Sequence, residues 1–160
     1  MGAQRNVLPS PRAPKRNEPT GDEQDKLWER YFPFVPLELD PHPGEVEILH
    51  EAFVAFCAEC LTIKHPLRGR MPFTLRDAQS EVVKDWLQHR RSVALKARQI
   101  GFSTLAAAFT LWLTFGWGDR HVVLLSKGGR EAAKLLQKIK YAYAGMPLWI
   151  RLSARHGKVR

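Results

Sequence analysis

From Val46 onward the apolar residues Leu49, Phe53, Phe56, Cys57, Cys60 and Leu61 recur at steps of three and four. That period puts them on one face of an amphipathic helix, predicted over residues 44–63. A second helix is predicted after Phe73. Thr74 is its candidate cap, Asp77 completes a weak capping box, and Val82, Val83, Trp86 and Leu87 form its apolar face. Gln79 joins that face near the helix start. Val93-Ala94-Leu95 then reads as a short apolar strand, and Ser103 to about Phe115 as a helix apolar on nearly all sides. The run His121-Val122-Val123-Leu124-Leu125-Ser126 suits a parallel strand covered on both faces. A last helix, from Gly129 to about Tyr143, turns Ala132, Ala133, Leu135, Leu136 and Ile139 inward. Arg130, Lys134, Lys138 and Lys140 are its polar residues. Strand–helix–strand–helix predicts an α/β fold built on a parallel βαβα core with a right-handed crossover.

The chain before Phe73 follows other rules. Residues 1–20 hold four prolines among Arg5, Arg12, Lys15 and Arg16, the composition of a disordered basic arm. Between Trp28 and Leu39 the chain is aromatic and broken by Pro33 and Pro36, as in an extended segment laid over a partner surface. His65-Pro66 through Met71-Pro72, with Arg68 and Arg70, reads as a basic loop. Residues 21–72 thus form an extended and helical N-terminal segment, and residues 73–160 a separate α/β unit.

Charge sharpens this division. Across 160 residues the formal charge is +9, distributed as +3 over residues 1–20, −7 over 21–67 and +13 over 68–160. A basic second part fits a polyanion, either nucleic acid or nucleotide phosphate, although a basic run is also what a solvated face looks like.

Cys57 and Cys60 form a C-x-x-C with no second pair, flanked by His50 and His65. Inside a helical apolar pattern they read as buried, reduced core residues. A zinc site or a redox pair is the alternative, and so few cysteines suit a reducing compartment. The N-terminus carries no signal-peptide core, and Asn6 breaks the myristoylation pattern after Gly2. Gln99 to Gly118 is uncharged over 20 residues, but its apolar portion, Leu105 to Phe115, is only 11 residues. As a helix that portion covers about 17 Å, against roughly 30 Å of bilayer hydrocarbon. A core helix is the expectation, and no membrane partner.

Candidate chemistry concentrates in Lys96-Ala97-Arg98-Gln99-Ile100-Gly101-Phe102-Ser103-Thr104. Lying between a predicted strand and a predicted helix, it has the context of a phosphate-binding loop. In the usual G-x-x-x-x-G-K-[ST] pattern, loop amides wrap the phosphates, the lysine neutralises them and the hydroxyl binds magnesium. Gly101 fills the second glycine position and Ser103 the hydroxyl position. Phe102 stands where the lysine belongs, and Lys96 where the first glycine belongs. Phenylalanine carries no charge, so the cation must be Lys96 or Arg98 bent back over the loop. The plain alternative for Ser103 is a helix N-cap.

Three groups of residues together resemble the large terminase subunit of tailed double-stranded DNA bacteriophages. They are Arg76-Asp77-Ala78-Gln79, the loop Lys96–Thr104, and Ser126 with Ala132/Ala133 and Met146-Pro147-Leu148-Trp149. The resemblance spans about residues 45–152, within that family's N-terminal ATPase domain, and some members place the loop lysine where Lys96 stands. It implies a P-loop NTPase, here an incomplete one, with a variant Walker A loop and ATP and Mg as cofactors. It implies that Gln79 reads the adenine edge, a task suited to a carboxamide's donor and acceptor. Arg98 is implied to act catalytically at the γ-phosphate, Ser103 to bind magnesium and Thr104 to add a hydroxyl to the α- or β-phosphate. The bland counterparts are a helix-surface glutamine and an arginine that holds the loop by a salt bridge. The family continues into a strand ending in Asp-Glu and then a nuclease domain. No apolar run followed by paired acids occurs here after Thr104, so the chain is expected to be a truncated or split terminase, or the first part of one.

The resemblance further implies DNA packaging from a phage or prophage, in the host-cell cytoplasm. Its partners are then double-stranded DNA, the portal and a small terminase subunit, with a homo-oligomer compatible with the same role. A fragment of a helicase-like ATPase is one rival, although such enzymes keep the lysine that Phe102 replaces. A non-enzymatic basic DNA-binding or adaptor module is the other, and it should bind no nucleotide.

Overall fold

The computed structural model describes residues 18–35, 41–65, 67–97, 100–117 and 120–155. The disordered-arm expectation for residues 1–20 therefore falls almost wholly outside the described residues, as do Arg98 and Gln99. The fold is mixed α/β, mostly helical, with one small antiparallel sheet.

Helix α1, Gly21–Tyr31, was not legible in the periodicity. It begins at Thr20, whose backbone N–H donates to Glu23 at 2.9 Å, and acidic residues in its first turn suit the helix dipole. Its last turn carries Trp28 and Tyr31, which sequence pattern assigned to an extended segment. The surface these aromatics cover belongs to the same chain. Tyr31 and Phe32 are buried against helix α2, Pro43–Cys60, and the Tyr31 hydroxyl donates to Glu59 at 2.7 Å. The segment after α1 is pinned to helix α4, Phe102–Gly116, by two indoles: Trp112 Nε1 donates to Tyr31 O at 2.7 Å and Trp117 Nε1 to Val35 O at 3.0 Å. Gly116 permits this approach, because a Cβ there would lie 2.7 Å from the Phe32 ring.

Helix α2 buries the predicted face, but it ends at Cys60, not Ile63. The β-branched Thr62 and Ile63 leave the helix and enter strand β1, Thr62–His65. This strand pairs antiparallel with β2, Gly69–Pro72, aligning Ile63 with Met71 and Lys64 with Arg70. The stretch expected to be a basic loop is therefore a hairpin. Gly69 has φ +70°, and His65 Nδ1 accepts from the backbone N–H groups of Leu67 and Arg68, which closes the turn.

Helix α3, Asp77–Gln88, starts two residues later than a Thr74 cap implies. The Gln79 side chain accepts from Arg76 N at 3.1 Å, so the amide that needs a partner is satisfied from within the first turn. Helices α2, α3 and α4 enclose the core. Phe53, Phe56, Val83, Leu105 and Trp112 are fully buried in it, and Trp86, Phe109, Phe53 and Trp112 form a chain of ring contacts. Cys57 and Cys60 lie buried and unbridged in this core, and burial pushes the Cys60 thiol up to about 12 and the Cys57 thiol well above its ordinary value. His50 is also buried, 2.6 Å from Ser80 Oγ, and burial lowers its pKa.

Helix α5, Gly129–Gly145, packs against α4 and β1, and the short helix α6, Leu148–Arg155, seats Trp149 and Ile150 in the core. The two predicted parallel strands are the main departure. Residues 92–97 and 121–126 carry no strand pairing, so a parallel βαβα core is not present among the described residues. Val93, Leu95, Val123 and Leu125 point into solvent, between 76% and 104% exposed. A parallel pair gains stability only with flanking strands and cover on both faces, and this fold provides neither.

Candidate functional site

The loop hangs between α3 and the start of α4. Gly101 is the N-cap of α4 with φ +81°, a left-handed conformation that glycine adopts without strain. Its carbonyl accepts from Thr104 N at 2.9 Å and Leu105 N at 3.0 Å, so the first turn winds tightly onto it. The leading amides of such a helix have no partner within it and carry its positive dipole end, which favours an anion.

Gln79 holds this loop from the side. It is buried, and while its Oε1 accepts from Arg76 N, its Nε2 donates to Ile100 O at 3.0 Å. A Cβ at Gly101 would lie 2.8 Å from that same Nε2. Its φ favours glycine, and a side chain there would also push against the Gln79 amide that holds the loop. Gln79 reaches the loop, and part of its hydrogen-bonding capacity goes to the backbone. One lone pair and one N–H remain for another partner.

Phe102 occupies the first position of α4 and lies edge-on against Trp86 of α3, with ring centroids 5.4 Å apart. On this ring sits Lys96, its Nζ 5.5 Å from the centroid, a cation–π contact. Lys96 thus places a cation beside position 102, through a ring contact that the spacing of the residues does not report. Ser103 is exposed beside it, and Ala97 is exposed on the approach to the loop. The Thr104 hydroxyl lies away on the α5 side, where it accepts from Lys138 Nζ at 3.5 Å.

No family model, no curated protein and no solved structure matches this chain.

Chemically, the arrangement offers a helix N-terminus, one mobile-stemmed cation and an exposed hydroxyl, within a stretch that holds no acid between Asp85 and Asp119. That set suits a phosphate. It suits a metal only through one hydroxyl, and no group of three or more potential ligands from His, Cys, Asp and Glu occurs among the described residues. Among the same residues, no helix is long and apolar enough to cross a membrane.

Proposed function

We propose that the loop binds the phosphates of ATP, and that the chain is the nucleotide-binding part of a DNA-packaging ATPase of the large-terminase type. The observation that carries this reading is Lys96 Nζ held over Phe102 at the N-terminus of α4. It restores the charge of a phosphate-binding loop at the position where the sequence lacks it. In this reading Ser103 gives magnesium one oxygen, and the remaining ligands come from phosphate and water, as magnesium commonly arranges. The resemblance gives Arg98, outside the described residues, the task at the γ-phosphate. The likeness of Arg76–Gln79, Lys96–Thr104 and Met146–Trp149 to the terminase family supports the wider role, with duplex DNA, portal and small subunit as partners.

Titration of the chain with a fluorescent ATP analogue in the presence of magnesium tests this directly. Saturable binding displaced by ATP is expected. No binding would favour the adaptor reading, in which the loop only caps α4.

Gln79 provides a finer test of the base. If its free lone pair and N–H face adenine, Gln79→Ala should narrow the preference for ATP over GTP by more than it weakens both. The substitution also leaves Ile100 O without its donor, a loss of about 1–3 kcal/mol that affects both nucleotides alike. Equal loss for ATP and GTP in a competition titration would reduce Gln79 to a support for the loop.

The exposed segments fit the same proposal. In this reading residues 92–97 and 121–126 are the strand segments of the ATPase sheet, although they carry no pairing among the described residues. Val123 and Leu125 there form an apolar, unpaired stretch of the kind that templates association. Concentration-dependent self-association is expected, and Val123→Lys with Leu125→Lys should suppress it without lowering the unfolding midpoint. A native chain that stays monomeric at high concentration by light scattering would contradict this.

A further inference from the structure

A cleft of about 550 Å³ opens between the hairpin, α4 and α5. Its floor is apolar, including Ile63, Phe73 and Ala108, and its rim carries Lys64, Lys134 and Lys138 with no acidic residue in its lining. Arg70 adjoins it, with its guanidinium 5.1 Å from the Tyr141 ring centroid and its Nε donating to the Tyr141 hydroxyl at 3.4 Å.

The placement of these charges is costly. Lys64 stands directly opposite Arg70 in the antiparallel register, where like charges repel. Lys134 and Lys138 are four residues apart on α5, the spacing at which like charges also repel. All four side chains are exposed, and none pairs with a carboxylate among the described residues. The hairpin's intrinsic stability would rise if either cation of the cross-strand pair were neutral. Such an arrangement is relieved by an external anion that meets all four cations together.

We propose that this hairpin–α5 face is a contact surface for the phosphate backbone of duplex nucleic acid. Four solvent-facing cations with no intervening acid match a partner that carries closely and regularly spaced negative charge. The apolar floor lies below the lysine rim, so a duplex can lie across the rim without entering the cleft. Lys138, bonded to Thr104, sets the face beside the loop's helix, so the two ligands would lie on adjoining surfaces. The choice of a duplex rests on the packaging reading; the anionic surface itself does not.

The test is fluorescence anisotropy of the whole chain with a short labelled duplex, without nucleotide, over a range of salt concentrations. Each neutralised phosphate contributes about 0.9 to the slope of log affinity against log salt. Lys64→Gln with Arg70→Gln should therefore lower that slope by about 1.8, and Lys134→Gln with Lys138→Gln by a similar amount. The control, Lys26→Gln with Lys84→Gln on α1 and α3, should leave it unchanged. Circular dichroism spectra of all three double variants should keep the parent's helical content, since every substituted side chain lies at the surface or is only partly covered. Melts should equal the parent's, or lie slightly higher where a like-charge pair is relieved. Absence of duplex binding, or equal loss in control and face variants, would overturn the proposal. So would displacement of the duplex by polyglutamate at equal charge, which would assign the face to an acidic protein segment. Because nucleotide is absent, failure of the loop to bind ATP leaves each of these outcomes readable.

Discussion

Lys96→Ala should reduce ATP binding by roughly 10- to 150-fold, the loss of a charge-assisted contact worth about 1.5–3 kcal/mol. The substitution removes the one described cation that reaches the N-terminus of α4 from the loop. The Phe102 ring neither donates a hydrogen bond nor carries charge, so from sequence alone its replacement would matter little to phosphate binding. Its contacts give it a role. The ring holds Lys96 in place and anchors the loop to Trp86, so Phe102→Ala should cost about 0.5–1 kcal/mol, or a few-fold in affinity, through the lost cation–π contact. Lys96→Arg should retain most of the binding. A titration in which Lys96→Ala binds ATP as the parent does would move the phosphate charge to Arg98.

The largest effect on stability is expected at Trp112. This side chain is fully buried, touches Phe53, Phe109 and Trp117, and donates its indole N–H to Tyr31 O. Trp112→Ala should cost about 3–5 kcal/mol from the cavity alone. Loss of the donor leaves a carbonyl unsatisfied and releases the segment that crosses from α1 to α4, adding about 1–3 kcal/mol. Against a typical total of about 5–15 kcal/mol, this approaches unfolding. Trp112→Phe keeps most ring contacts but loses the hydrogen bond, and should fall between the two. Urea denaturation followed by circular dichroism reads all three. A Trp112→Ala chain within about 1 kcal/mol of the parent would mean that the α2–α4 interface is not the core.

What the sequence revealed follows from how local each determinant is. Helices α2, α4 and α5 were legible because each carries a long apolar period, and the start of α4 because Gly101 precedes it. The start of α3 was misplaced because Thr74 resembles a cap, while the group that satisfies Arg76 is the Gln79 carboxamide. The hairpin was missed because four-residue strands are too short to show alternation, and Lys64, Arg68 and Arg70 give the stretch the look of a loop. Helix α1 was missed because its apolar residues cluster at one end, and α6 because eight residues carry little period. The apolar runs at residues 93–95 and 121–126 are real, but a strand needs partners, and no local pattern reports whether they are present.

The site divides along the same line. Gly101, Ser103 and a nearby lysine are properties of consecutive residues, and spacing alone exposed them. The Phe102 platform depends on Trp86, the loop's lateral hold on Gln79, and the Thr104 contact on Lys138, each from a different helix. These are tertiary facts. They place the Lys96 ammonium, six residues upstream, beside the Phe102 ring.

The central claim is that ATP sits on the amides that open α4. Backbone NMR spectra of the isotope-labelled chain, recorded as ATP and magnesium are added, test it most directly. Saturable shifts centred on the Gly101, Phe102 and Ser103 amides are expected, with roughly 10- to 150-fold more ATP needed to reach them in Lys96→Ala. Shifts confined to the α5 face, or none at the start of α4 at saturating ATP, would contradict it.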